Sequence, residues 1–357
     1  MEKSKVKLKF IYWFTFYNTN SPTVRYRAQY PLDYFKKEYG INSILVFPGY
    51  HPSKIYLFLK AYFSALLFPK KNSVIVFQSI YSNFMYAAAL KWLAYVRKNK
   101  CVYDLDDADY LRYPPKTIYH FIKNCAAVTV GSAELVKNLY AFNSNTIRIP
   151  CPTPDLQIVK QKRNTLLTIG WIGDFSKGHK ESLINIFFPA LHNLPFKVKL
   201  IVLGVTKEAE HVFLKKYFKE YQNIVLEIPE NVDWKNETDI QHRIASFDIG
   251  IATLLDTEFY RSKSAFKTKQ CFNNGVPVLS SDIAENNLFI EHGKNGFLCS
   301  TPSEFKQRII EIKQMSDEDY FMLSTNARHS IKNFDLRCFC EDFISLYENK
   351  LTTQQKR

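Results

Sequence analysis

Short apolar runs alternate with amphipathic stretches along almost the whole chain. In the first 150 residues the runs at 6–14, 42–47, 74–78, 100–104, 127–130 and 146–149 have the length of buried strands. Between them lie stretches that read as helices: one from Val24, one over 55–71, one over 83–96, and one opened by Ser132-Ala133-Glu134 and running to Tyr140. Strand followed by helix, repeated, predicts a parallel, doubly wound α/β sheet. The run Pro150-Cys151-Pro152-Thr153-Pro154-Asp155 breaks the pattern and marks a boundary, giving a first domain over 1–155.

The pattern then restarts. Strands are expected at 166–172, 198–203, 224–228, 247–252 and 296–299, with helices over 207–221 and 239–246. The first of these strands runs into Gly173 and a loop carrying Lys177, Gly178, His179 and Lys180, with a helix following through Leu191. Further helices run from Ser303 to a frayed end at 354–357. Two α/β halves of this kind predict a cleft where strand C-termini face each other, a place for a nucleotide-like ligand.

The stretch 256–278 carries the most chemistry. Ser262 reads as a helix N-cap, Gly275 as the residue just past the helix end, and 276–279 as a short buried strand. Arg261, Lys263 and Lys267 then crowd a helix N-terminus, where the backbone dipole disfavours cations, and Lys263 and Lys267 share a face at i,i+4 spacing. A bound phosphate would relieve both conflicts. The alternative is that these long cations point to solvent. Near the first strand's C-terminal end, where ligands bind in open α/β sheets, Arg25 and Arg27 are a second pair of cleft candidates.

Composition narrows the field. The chain has 357 residues and a formal net charge of +14, with 15% aromatic residues. Such charge favours an anionic partner: nucleic acid, acidic lipid headgroups or a phosphorylated small molecule. The cations are dispersed, with no Arg-rich arm and no RNA-binding motif, which argues against nucleic acid. Seven Cys without a C-x-x-C pair read as reduced thiols in a cytoplasmic protein. The basic start before the first strand is not followed by a signal cleavage site, and no stretch reaches the ~20 apolar residues of a spanning helix. Any membrane contact is expected to be peripheral; the nearly all-apolar segment 55–71 reads first as a helix buried between layers, with a membrane interface as the alternative.

Four carboxylates crowd together in Asp104-Leu105-Asp106-Asp107-Ala108-Asp109. Such repulsion is tolerated where carboxylates bind cations, cap helices or do chemistry. The calcium-loop pattern fails at Ala108 and Asp109. No P-loop, Gly-x-Ser-x-Gly or dinucleotide Gly-x-Gly-x-x-Gly occurs, which argues against a kinase, hydrolase or dehydrogenase.

Several stretches, in order, resemble the retaining glycosyltransferases of family 4, which have the GT-B fold. They are Val128-Thr129-Val130-Gly131-Ser132-Ala133-Glu134-Leu135, Ile149-Pro150 with Asp155, Ile169-Gly170-Trp171-Ile172-Gly173, Phe247-Asp248-Ile249-Gly250-Ile251, Phe266-Lys267 with Gly275-Val276-Pro277-Val278, and Gly293-Lys294-Asn295-Gly296-Phe297-Leu298. The resemblance implies two Rossmann-like domains: an acceptor-binding one over 1–155 and a nucleotide-sugar-binding one over 156–330. It also implies a final helix, in 331–357, packing back on the first domain. It places Gly173, Lys177, Lys180, Arg261, Lys263 and Lys267 against the donor phosphates. Asp106 and Asp107 become the candidates for contacting the transferred sugar or acceptor hydroxyl, with Asp104 and Asp109 left to brace a turn. Where many members carry two glutamates, this chain has Ser262 and Gln270. Gln270 retains the capacity to bond a ribose hydroxyl.

The expected activity is transfer of a sugar from a UDP-, GDP- or dTDP-sugar to a glycan or lipid-linked acceptor in surface polysaccharide synthesis. Neither metal nor cofactor is expected, since such enzymes generally need none. The expected location is cytoplasmic, or peripheral on an anionic inner membrane surface. The alternatives are a non-catalytic nucleotide-sugar-binding protein and a basic nucleic-acid-binding or scaffold protein.

Overall fold

Every expected apolar run forms a strand, because each is short and bounded by turn residues; the central ones are apolar on both faces, as strands covered on both sides by helices must be, while those at 42–46 and 224–227 are partly exposed. A computed structural model describes residues 6–82, 84–175 and 177–351, apart from the side chains of Phe84 and Lys177. The basic start before Val6, the expected helix start at Asn83 and the tail at 354–357 lie outside the described residues.

The strands are β1 (Phe10–Thr15), β2 (Asn42–Val46), β3 (Ser73–Gln78), β4 (Cys101–Leu105), β5 (Ala127–Val130) and β6 (Thr146–Arg148), then β7 (Thr168–Ile172), β8 (Val198–Leu203), β9 (Ile224–Glu227), β10 (Ile249–Ala252), β11 (Val278–Ser281) and β12 (Gly296–Cys299). They form two six-stranded sheets, ordered β2-β1-β3-β4-β5-β6 and β12-β11-β10-β7-β8-β9. All pairings are parallel, with Phe10 opposite Asn42 and Ser73 in one sheet and Thr168 opposite Lys199 in the other. Each order reverses once, between β1 and β3 and between β7 and β10, and such switch points are where open α/β sheets bind ligands.

The described chain divides into two compact units. Unit 1 runs to Pro152, adds Ser262–Ser264 and resumes at Phe334; unit 2 is Thr153–Arg261 with Ala265–Asn333. The core of unit 1 buries Trp13, Phe35, Val76 and Val102 together with Phe339, Phe343 and Tyr347 from the final helical segment. The Phe343 ring stacks on Trp13 at 5.9 Å and meets Phe35 edge-on at 5.7 Å. In unit 2, Trp171, Phe187, Leu200, Ile249 and Phe305 share a second core.

Three local expectations change. A helix not among the sequence expectations spans Pro115–Asn124, with its apolar face at Ile118, Phe121 and Ile122 and a proline at its first position, where one is tolerated. Lys177, His179 and Lys180 lie in a helix, Lys177–Ser182, and not in a loop. The third change concerns 256–278. A short helix, Glu258–Arg261, ends where a helix was expected to begin, and the next spans Phe266–Asn273. Its N-cap residue is Ala265 in the left-handed region (φ 51°), so Ser262 does not cap it. The C-terminal end is as expected: Gly275 N–H donates to Phe272 O and Val276 N–H to Cys271 O, the 5→2 and 6→1 pair of a Schellman motif.

Candidate active site

The acidic cluster leaves the end of β4 in unit 1, and its members separate by environment. Asp104 is almost wholly buried and accepts from Arg27 Nε at 2.9 Å, Arg27 Nη2 at 2.6 Å and Thr129 Oγ1 at 2.7 Å. The remaining Arg27 amine, Nη1, donates to Ile149 O at 2.9 Å. Burial alone would lower the Arg27 pKa, but Asp104 outweighs it and raises it. With none of its surface exposed, Arg27 is a brace tying β4 to the end of β6, and not a side chain offered to an acceptor. Arg25, also buried, donates to Thr19 O and Asn20 O and so holds the loop after β1.

Asp106 lies one step further out. Its Oδ1 is 3.7 Å from Arg27 Nη1 and, among the described residues, has no hydrogen-bond partner, although the side chain keeps 20% of its surface exposed. Burial raises its pKa against the pull of Arg27, with Asp107 adding to the rise. Gly131 makes this position possible, since a Cβ there would stand 2.5 Å from Asp106 Oδ1. Asp107 faces the other way, into a 2.6 Å ion pair with Lys263 Nζ. The segment carrying Lys263 is held to unit 1 by a second contact, from Ser132 Oγ to Ser262 O at 2.7 Å. Lys263 is therefore matched to a protein carboxylate, and because it precedes the helix it does not share a face with Lys267. Ser262 is fully buried.

Asp109 was expected only to brace a turn. It starts a 3₁₀ turn, Asp109–Leu111, and burial first, then the neighbouring Asp107, pushes its pKa up to about 8. Its ordinary value is 3.8, so between about pH 4 and pH 8 the folded state holds a proton that the unfolded chain has released. Stability from this group is therefore lost as pH rises through that window. Asp109→Asn is expected to flatten the fall: its melting temperature relative to wild type should rise from pH 5 to pH 8. Parallel melting curves across that range would overturn this reading.

In unit 2 the switch point between β7 and β10 is lined by three elements. Gly173 follows β7 directly, and the first turn of the helix Phe266–Asn273 places Lys267 over it: a Cβ on Gly173 would lie 2.8 Å from Lys267 Cε. Lys267 Nζ is 3.4 Å from His179 Nε2 and 5.8 Å from the centre of the buried Trp171 ring. The indole Nε1 of Trp171 has no hydrogen-bond partner among the described residues. Gln270, largely buried, follows Lys267 at i,i+3 and so shares its helix face. The helix start lies beyond the expected one, with Ala265 and not Ser262 at the N-cap, and carries one of the three expected cations, Lys267.

The other donor-side candidates are placed elsewhere. Arg261, in the last turn of its own short helix where a cation is favoured, forms a bidentate pair with Asp256 at 2.5 and 3.0 Å. The Lys180 ammonium lies 3.8 Å from the Phe213 ring centre and 5.9 Å from that of Phe175. The Lys177 side chain is outside the described residues. Sequence reasoning missed His179 and Trp171 as neighbours of Lys267; the Gly-Trp-Ile-Gly run at the strand end was the available signal for Trp171. Among the described residues no group of three or more His, Cys, Asp or Glu is placed to hold a metal ion.

Residues 163–314, which contain the β7 to β12 sheet and this lysine, match the family described as glycosyl transferases group 1. No curated protein sequence matches the chain. Solved structures sharing the fold include a glycosyltransferase from Rickettsia africae ESF-5, at 14% identity and TM-score 0.68, over 96% of this chain and 99% of that one. The Anabaena protein Alr3699/HepE, solved in complex with UDP, follows at 13% and 0.67, over 96% and 100%. Sucrose-phosphate synthase from Thermosynechococcus elongatus does so at 11% and 0.68, over 97% and 100%. Residues 163–314 thus form a glycosyl transferases group 1 domain, in a chain with the two-sheet GT-B fold.

Proposed function

We propose that the chain is a retaining glycosyltransferase of family 4 that takes a hexosyl group from a nucleotide diphosphate sugar. The observation that carries this reading is Lys267, set over Gly173 in the first helical turn at the β7/β10 switch point. Backbone N–H groups and an ammonium there are suited to a diphosphate, and they stabilise charge where it develops as the bond from anomeric carbon to phosphate oxygen breaks. UDP is the favoured nucleotide, because the Anabaena structures hold UDP and UDP-glucose and a Staphylococcus aureus TarM structure holds UDP.

The acceptor hydroxyl attacks the anomeric carbon from the face that the diphosphate leaves, so the sugar keeps its configuration. Asp106, with its raised pKa and unpartnered Oδ1, is the group we assign to the transferred sugar or the acceptor hydroxyl; Asp107 with Lys263 fixes the neighbouring backbone. The acceptor is a glycan or lipid-linked saccharide of a surface polysaccharide, and the reaction needs no metal.

Thermal melting with UDP, UDP-glucose, GDP-mannose and dTDP-glucose tests the donor. UDP and one UDP-sugar are expected to raise the melting temperature; indifference to the whole panel would sink the proposal. A non-catalytic nucleotide-sugar-binding protein is the second reading, favoured by the absence of carboxylates at Ser262 and Gln270. It would show the same stabilisation with no release of UDP.

A further inference from the structure

Two neighbouring helices of unit 1 turn apolar side chains outward. On Pro52–Leu67 the inner face is Ala61, Tyr62 and Ala65, while Tyr56 (65% exposed), Leu59, Phe63 (49%) and Leu67 recur at i+3, i+7 and i+11 on the outer face. On Phe84–Val96 the outer positions are Met85 (80%), Trp92 (57%), Tyr95 and Val96. Surface helices of water-soluble proteins carry polar groups there.

The helices follow β2 and β3 and lead rightward across the sheet, which puts both on one side of it. Contacts lock them together. The Phe58 and Tyr86 rings lie 5.2 Å apart, and Arg97 donates from Nε at 3.0 Å and Nη2 at 2.5 Å to Leu66 O. The outward side chains are thus parts of one rigid surface.

Charge around this surface is one-sided. Residues 39–103, which include both helices, hold eight Lys or Arg and no Asp or Glu. Lys60 lies on the outer face, 6.0 Å from the Tyr56 ring, and Lys98 just past the end of the second helix; both are exposed. In a chain that carries 34 acidic residues, a 65-residue span without one is a local feature and not a reflection of overall charge.

We infer that this face docks onto the surface of an anionic lipid bilayer. Aromatic and aliphatic side chains enter the boundary between headgroups and acyl chains, and flanking lysines meet the lipid phosphates. Leu59, Leu67 and Met85 fit acyl chains and offer a nucleic acid neither hydrogen bonds nor stacking faces, so lipid is favoured over RNA. The two-signal arrangement gives reversible binding, and among the described residues no helix is long and apolar enough to cross a membrane. The inference does not depend on the transferase reading, since it uses none of its residues.

Vesicle flotation of the full chain tests it. The chain is expected to float with phosphatidylcholine vesicles containing phosphatidylglycerol and to remain in solution with pure phosphatidylcholine, with added salt weakening the association. Trp92 emission should shift to shorter wavelength on binding; Trp13 and Trp171 are buried and should not respond. The triple variant Tyr56→Ser/Phe63→Ser/Trp92→Ser should lose at least about tenfold in partitioning, and Lys60→Glu/Lys98→Glu a similar factor with a shallower salt dependence. Because all five side chains are exposed, both variants should melt close to wild type. Three results would overturn the inference: wild type that ignores anionic vesicles, a triple variant that floats undiminished, or a wild-type dimer that the triple variant converts to monomer. The last would mean that a second copy covers the face. Binding to RNA in preference to vesicles would equally refute it.

Discussion

Lys267→Ala is expected to lower turnover of the responsive UDP-sugar by roughly 10²- to 10³-fold, the usual cost of deleting one preorganised group that stabilises developing charge. UDP stabilisation should fall with it, because the lysine meets the diphosphate in both substrate and product. The informative comparison is Lys180→Ala. The resemblance places both lysines against the donor phosphates, but the Lys180 ammonium rests on the Phe213 and Phe175 rings while Lys267 stands over Gly173. Lys180→Ala should therefore change turnover by less than about threefold, the effect of altered packing. Steady-state UDP release measures both, and equal losses would remove the special standing of the Phe266–Asn273 helix start.

Arg27→Met should be the most damaging substitution for stability. It strips a buried carboxylate of its paired cation, and breaking a buried ion pair from one side costs about 3–5 kcal/mol. In a domain of ordinary size that corresponds to a melting temperature lower by roughly 6–20 °C. Removing both charges, as in Arg27→Met/Asp104→Leu, should restore much of the loss, since no charge is then stranded. A single variant that melts with wild type would show that Asp104 is not held as an ion. One loss is not restored in the double variant: Arg27 Nη1 also ties β4 to the carbonyl of Ile149.

The architecture was legible because its signal is repeated. Twelve short apolar runs, most of them buried, announce parallel strands however uncertain their ends, and the Pro-rich run at 150–155 stands near the change of unit at Pro152. The site was legible only in outline. Lys267 and Asp106 were readable from a helix start and a crowd of carboxylates. What the one-dimensional pattern could not hold was who answers which charge. The three cations at 261, 263 and 267 looked like one phosphate cluster because they are adjacent in sequence. In the fold, Asp256 meets Arg261, Asp107 meets Lys263 from 156 residues away, and Lys267 stands over Gly173 beside His179. Arg27 failed for the same reason: its partner is 77 residues away, and nothing near it in sequence distinguishes a buried brace from a cleft cation.

The interleaving of the two units also sets a timetable for synthesis. The chain changes unit four times, and the core around Trp13 and Phe35 is completed by Phe339, Phe343 and Tyr347. The Lys7 amide, three residues ahead of the first strand, finds its acceptor on Glu348. An emerging chain usually folds its N-terminal domain first, as that domain clears the ribosome. Here the core of the N-terminal sheet is completed only by residues that follow the whole of unit 2 in the chain, so unit 2 has the earlier opportunity to close.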